Sequence, residues 1–281
     1  GAAIELPDME WGHGTPKRGR QTRRYQGDLY VAVGNDGKLA AVNVLSAERL
    51  LAGVVPSELY VSAPLEALKA QAVAARGQLL AKVGTRHRAD PYLLCAETHC
   101  QVYSGDTKRH PKTDRAVRET RGRLLFHEHG LVDTVYSSAC GGHSEAFHVY
   151  WGGQPKPGLG GQFDRDGGAS TPISDPAAFI ASRPKSWCGF KENLFRWTKR
   201  LKGSQVSQAV NARRPIGPVT AIRATRRGRS GRALAVEYTG PKGTLVVEGA
   251  YNNRKLLGRL RSGLWVVRRE GGAPDGQPTR W

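Results

Sequence analysis

Glu58 stands in the run Gly53-Val54-Val55-Pro56-Ser57-Glu58-Leu59-Tyr60, just ahead of the strongest helical pattern in the chain. A carboxyl among apolar neighbours can be partly desolvated, and desolvation raises its pKa toward the range useful to a general acid. By position alone it can equally be a solvated loop acid. Lys69, Gln71 and Arg76 follow in a stretch of Ala and Leu, where polar groups either line a cleft or mark the solvent side. Further on, Ser137-Ser138-Ala139-Cys140-Gly141-Gly142-His143-Ser144-Glu145 forms a Ser/Gly/His loop. Such a loop can hold an oxyanion or a sugar hydroxyl through backbone N–H groups and short side chains. Cys140 raises the alternative of a thiol nucleophile. Against it, His143 lies only three residues away in a Gly-rich turn, and no acid is evident to orient the imidazole. Cys95-Ala96-Glu97-Thr98-His99-Cys100, with His87 upstream, offers the sulfur and imidazole donors of a mixed zinc site. The competing reading is a small disulfide loop between Cys95 and Cys100.

These residues need elements to place them. Residues 1–27 carry a dense basic cluster (Lys17, Arg18, Arg20, Arg23, Arg24) without apolar periodicity, which predicts an extended arm. Leu29–Val33 and Leu39–Leu45 alternate around Asn35-Asp36-Gly37, the chemistry of a β-hairpin turn. A short amphipathic segment from Ala47 to Val55 leads into a non-helical connection at Pro56-Ser57-Glu58. Leu65, Leu68, Ala72, Ala75 and Leu79 recur at helical spacing; the helix is expected from Ala63 to Val83, capped by Ser62 and opened by Pro64. After Cys100 the pattern is of short strands, with hairpins at Arg123–Phe126/Val132–Tyr136 and at Val219–Ala224/Ala233–Tyr238. The second of these carries a basic tip, Arg226–Arg232. A long loop is expected over 152–173, a second helix from Lys191 to Lys202, and a loose tail after Arg269. The expected class is α+β: short antiparallel strands and hairpins around one long helix, with a central substrate cleft. Residues 28–268 are expected to form the main domain, between the basic arm and the tail.

The bulk numbers narrow the partners. Lys and Arg total 43 against 24 Asp and Glu, a net charge of +19, which attracts polyanions. Nucleic acid is disfavoured, because the Arg226–Arg232 run contains no interleaved aromatic residue on which a base could stack. No apolar stretch approaches the roughly 18 residues of a membrane span. Four cysteines, Cys95, Cys100, Cys140 and Cys188, form an even set, for which two disulfides are the default in an exported protein. The opening Gly1-Ala2-Ala3, without an initiator Met, is compatible with a processed leader.

Taken in order, several stretches together resemble the stage II sporulation protein D and amidase-enhancer domain family. They are Gly53–Leu59, Pro64–Arg76, Cys95 with His99–Gly105, Ala116–Gly122, Tyr136–Ser138 with Gly141–Glu145, Trp151–Gly153, and Arg254–Trp265. The likeness runs from about residue 28 to 268. It implies a periplasmic or cell-envelope lytic transglycosylase that cleaves between N-acetylmuramic acid and N-acetylglucosamine in peptidoglycan strands already stripped of stem peptides by an amidase. It places the catalytic glutamate on Glu58 and substrate-binding residues on Lys69, Gln71, Arg76, Gln101, Tyr103, Ser137, Ser138 and His143. It also allows a structural zinc at Cys95, His99 and Cys100, and implies no required cofactor. The chain departs from the family in its basic arm and hairpin tip, and in Cys140, whose pairing with Cys188 would tie that loop to the Trp187 region.

Ordinary glycosidases use two carboxyl groups. One suffices where the substrate's own 6-hydroxyl is the nucleophile and closes a 1,6-anhydro ring, with Glu58 serving first as acid and then as base. Removing the stem peptide frees the muramic lactyl carboxylate, so a stripped strand is a polyanion. Lys69 and Arg76 are expected to read those carboxylates, with Arg able to do so bidentately. The same fold could instead serve a non-catalytic glycan-binding protein that recruits or stimulates an amidase.

Overall fold

The computed structural model describes residues 3–12, 18–167, 171–190, 192–272 and 280–281, which divide into two compact units, Gly1–Tyr136 and Ser137–Trp281. The architecture is α+β, built from small antiparallel sheets and eight α-helices among the described residues.

The N-terminal unit begins with a hairpin, β1 (Ile4–Trp11) and β2 (Gly19–Tyr25), where the sequence predicts an extended arm. The cause is the cross-strand chemistry. Arg24 pairs with Glu5 at 3.0 Å and Arg20 with Asp8 at 2.9 Å, so the acids of β1 neutralise the bases of β2. The alternate positions Arg23 and Tyr25 turn inward and are buried. The second hairpin, β3 (Asp28–Val33) and β4 (Leu39–Val44), forms where the sequence predicts it and turns through Gly34–Lys38.

Three helices follow: α1 (Ala47–Glu58), α2 (Leu65–Lys82) and α3 (Pro111–Glu119). Leu51, Val54 and Val55 of α1 pack with Leu68, Ala72 and Ala75 of α2, and with Ala116 and Val117 of α3. Each buried Leu or Val contributes roughly 1.5–3 kcal/mol. Gly53 lets α1 approach closely, because a Cβ there would lie 2.6 Å from the Tyr103 ring. Pro56 does not end α1, as the sequence suggests. It forfeits one backbone hydrogen bond in the last turn while it and its neighbours are buried. Glu58 is therefore a helix C-terminal residue and not part of a loop. The α2 helix starts after Pro64, without a side-chain cap from Ser62. The hairpin β5 (Phe126–His127) and β6 (Gly130–Leu131) is shorter than expected, and Val132–Tyr136 continues without regular strand pairing.

In the C-terminal unit, α4 (Phe147–Trp151), α5 (Pro176–Ser182), α6 (Glu192–Phe195) and α7 (Gly203–Asn211) precede a three-stranded antiparallel sheet. Its strands are β7 (Ala221–Arg227), the central β8 (Ala233–Gly240) and β9 (Gly243–Glu248), followed by α8 (Ala250–Leu256). Val210, Val219, Val236, Tyr238 and Trp265 form its core. The helix expected over Lys191–Lys202 is only the single turn of α6, and Lys191 lies outside the described residues. The tail is not loose at its end. Trp281 exchanges backbone hydrogen bonds with Leu201 (2.9 and 3.1 Å) and packs on the core, while 273–279 lie outside the described residues.

The basic tip is also not a free cationic cluster. Arg226 pairs with Glu248 at 2.5 Å, Arg227 donates to the carbonyls of Gly231 and Trp265, and Arg232 is buried. No helix among the described residues is long and apolar enough to cross a membrane.

Candidate active site and metal centre

Glu58, at the C-terminus of α1, is half-buried, and its Oε1 accepts a hydrogen bond from the Val102 backbone N–H at 2.6 Å. That bond fixes the carboxylate between α1 and the segment after the cysteine loop. Beside it lies Tyr136, whose hydroxyl donates to Gln101 Oε1 at 2.8 Å. Burial, and then the Glu58 carboxylate, push the Tyr136 phenol far above its ordinary value, so it keeps its proton. Gln101 is itself locked, its Nε2 donating to the Ala75 carbonyl of α2 at 3.2 Å. Gln71, one turn earlier on α2, also neighbours Tyr136, and its buried Nε2 reaches no acceptor in hydrogen-bond geometry. A buried, unspent donor next to that phenol suits a substrate oxygen.

The other expected substrate-binding residues are placed differently. Arg76 is 3% exposed and forms a bidentate pair with Glu48 (2.8 and 2.9 Å), with its third nitrogen on the Arg123 carbonyl. Its donors are spent inside the unit, so it cannot reach a glycan carboxylate. Lys69 is clamped by Glu66 (2.7 Å) and Glu119 (2.8 Å), and these partners, Glu119 first, raise its pKa. Tyr103 sits in the helical core with its hydroxyl on Asn43 Oδ1 at 2.8 Å. In the C-terminal unit, Ser137 and Ser138 are exposed, but His143 is fully buried. Its ring nitrogens face the carbonyls of Ser144 (2.6 Å) and Thr171 (3.2 Å), and its ring stands edge-on to Phe163. His143 is thus a core residue and not a substrate ligand, because the Gly-rich turn folds inward over it.

Cys140 is a poor nucleophile. Burial pushes its thiol up to about 12, and His143 is engaged elsewhere. Its Sγ lies 3.6 Å from Cys188 Sγ, and the Cys188 N–H donates to Asp164 at 2.8 Å.

The second cluster of unit one has a clearer form. The donor atoms of His87, Cys95, His99 and Cys100 all lie within 4.8 Å of one another. Cys100 Sγ is 3.4 Å from His87 Nε2, and both sulfurs are 3.8 Å from His99 Nδ1. Ligands around a tetrahedral zinc at ~2.1–2.3 Å are separated by about 3.4–3.8 Å, so the set fits that ion. His87 adopts a positive φ of 52°, and its Nδ1 is held by Asp90 at 2.7 Å, which turns Nε2 toward the sulfurs. The hydrogen bond from the Cys100 thiol draws Cys95 down to about 4, and the same bond retains the proton on Cys100. Asp90 escapes a motif reading, and Tyr136 is read only as part of a matching stretch, because their roles depend on where loops return in space.

The comparisons with known proteins agree with this division. Residues 35–127 match the family described as stage II sporulation protein, and residues 145–281 match a domain of unknown function, DUF8618. Over 137 residues, 49% of this chain, it is 34% identical to an uncharacterized protein of Brachyspira hyodysenteriae, of which 37% is covered. Over 101 residues, 36% of this chain, it is 40% identical to the amidase enhancer of Bacillus subtilis, of which 13% is covered. The chain thus spans well under half the length of either relative. The match over residues 35–127 to the stage II sporulation protein family takes in both Glu58 and the Cys/His cluster.

Proposed function

We propose that this protein works on the bacterial cell wall as a lytic transglycosylase, cutting peptidoglycan glycan strands stripped of stem peptides. The observation that carries the reading is Glu58, a half-buried carboxylate fixed by the Val102 N–H, with the Tyr136 phenol beside it and the unspent Gln71 amide next to that phenol. The family match and the amidase-enhancer relative support the cell-wall setting. Glu58 donates its proton to the bridging oxygen as the muramic C1–O bond breaks, and the 2-acetamido group supports the charge at C1. The Glu58 carboxylate then removes the proton of the sugar's 6-hydroxyl, whose oxygen bonds to C1 and closes the 1,6-anhydro ring. Gln71 supplies a hydrogen bond to a sugar oxygen near that centre, and Tyr136, whose proton is spent on Gln101, holds Gln101 in place. The lactyl carboxylates are not read by Arg76, and the net charge of +19 serves as a general attraction for the anionic strand.

His87, Cys95, His99 and Cys100 would hold a structural zinc, which would fix the loop whose continuation supplies the Val102 N–H. No chemical step passes through it. The setting is the exported cell envelope, with an amidase acting upstream as a partner. A second reading, a non-catalytic glycan binder that stimulates an amidase, is favoured by the relative's name alone.

The test is digestion of purified strands, with and without stem peptides, by wild type and Glu58→Gln, followed by mass spectrometry. Anhydromuramic ends from stripped strands, reduced at least a hundredfold in the mutant, are expected. Reducing ends would make it a hydrolase, and binding without products would favour the amidase-stimulating reading.

A further inference from the structure

The C-terminal unit contains a cavity of about 640 Å³, apart from the Glu58 site and lined wholly by that unit's residues. The size lies within the roughly 300–1,000 Å³ of small-molecule sites. Its wall combines Trp197, Trp265 and Trp281 with five cationic side chains against one acid, Glu270. Trp265 is 6% exposed, and the indole N–H groups of both Trp265 and Trp281 are buried without an acceptor. Buried donors left without partners are costly, and a ligand oxygen would satisfy them. Three of the cations are already spent. Arg196 donates to the carbonyls of Ile180, Gly141 and Phe179, Lys199 to Gly258, and Arg261 to Asn193. Arg268 has no such partner among the described residues, and Arg200 stands 3.9 Å from Glu270, too far for a strong pair.

We propose that this cavity binds a carboxylate-bearing saccharide, with the lactyl-bearing muramic residue of a stripped strand as its ligand. The choice of that sugar rests on the function proposed above. Indole rings offer apolar surface to the C–H face of a sugar ring, and the unpaired indole N–H groups offer donors to its oxygens. Arg268 and Arg200 supply one carboxylate's worth of charge. Two available cations suit a polymer with one charge per disaccharide better than one with a phosphate on every nucleotide. Ser138 and Gly141 of the Ser/Gly/His loop lie in the same wall, so this part of the loop serves the cavity. The C-terminal unit would then hold a strand by its own muramic site, supplying the glycan retention that a single carboxyl cannot.

The chain has six tryptophans, so the indole N–H signals of full-length ¹⁵N-labelled protein form a countable set. The titration uses Glu58→Gln protein, which leaves ligand uncut, and a GlcNAc–MurNAc tetrasaccharide with free lactyl carboxylates. Trp265→Phe and Trp281→Phe identify the two signals. Saturable shifts of both are expected, with at least fivefold weaker binding when the carboxylates are amidated. Arg200→Ala/Arg268→Ala should weaken binding to a similar degree. Both arginines are exposed, and unmoved signals from the other indoles would show the fold intact. No shift at the two indoles, equal binding of the amidated sugar, or tighter binding of a single-stranded oligonucleotide would each overturn the proposal. Cleavage by wild type is scored separately. Products without indole shifts sink this inference alone, whereas indole shifts without products leave the site standing and remove the lytic reading.

Discussion

At the residue scale, the chemistry concentrates on a few groups around Glu58. The Val102 N–H orients one carboxylate oxygen, and Tyr136 keeps its proton because burial and the neighbouring carboxylate both oppose its ionisation. Tyr136→Phe preserves the ring and removes only the hydroxyl. Because that hydroxyl donates to Gln101, its loss acts by loosening Gln101 and the adjoining Val102 N–H; it should lower kcat for strand cleavage by about 10-fold to 100-fold, while binding of stripped strands changes less than threefold. An unchanged kcat would reduce Tyr136 to a packing residue with no part in positioning Glu58. Glu58 was legible in the sequence from its apolar setting and its motif. Gln71 and Gln101 were legible as site residues, and Tyr136 as part of a matching stretch; the Tyr136–Glu58 contact was not, since Tyr136 lies far along the chain and meets Glu58 only after the β5–β6 hairpin returns. Arg76 shows the opposite error. Its residue type and helical position suit a carboxylate reader, but the carboxylate it reads is Glu48 of α1.

At the element scale, the main joint is between α2 and α3. Lys69 of α2 joins Glu119 of α3 at 2.8 Å, and Arg115 joins the same acid at 2.6 Å. These hydrogen bonds, that from Lys69 first, depress Glu119 from 4.5 to about 2. A depressed carboxylate contributes stability above its unfolded pKa and loses it as pH falls through the folded value. The stabilising effect of Glu119 should therefore be complete above pH ~5 and vanish toward pH 2. Melting curves of wild type and Glu119→Gln should differ at pH 6 and converge near pH 2; a constant gap would mean that the side chain acts through packing. Because all three groups face water, the gap should also narrow in high salt. The α2 helix itself was legible from its apolar period, and β3–β4 from their turn. The β1–β2 hairpin and α1 were misread for one reason. Local signals, a run of arginines and an internal proline, were weighed without the partners that compensate them, namely the acids of β1 and the apolar faces of α2 and α3.

At the scale of the whole molecule, the four cysteines divide by unit, and the division implies two different chemistries. Cys95 and Cys100 share their site with two imidazoles and the orienting carboxylate of Asp90, an arrangement suited to metal. Cys140 and Cys188 face each other at 3.6 Å with Asp164 as the only other potential ligand among the described residues, so no imidazole there completes a zinc set. In an oxidising cell envelope, the second pair should become a disulfide by exchange with an oxidised dithiol, which accepts its two electrons and two protons. Protein purified from that compartment should therefore release one equivalent of zinc on denaturation. Peptide mapping without reductant should recover Cys140 joined to Cys188, lighter by two hydrogens. Cys95 and Cys100 should resist alkylation until a chelator is added. Chelation should lower the melting temperature and loosen the loop carrying Val102, reducing cleavage without moving Glu58 along the chain. Recovery of Cys95 joined to Cys100 in zinc-free, fully active protein would reverse the assignment and make the first cluster a disulfide loop.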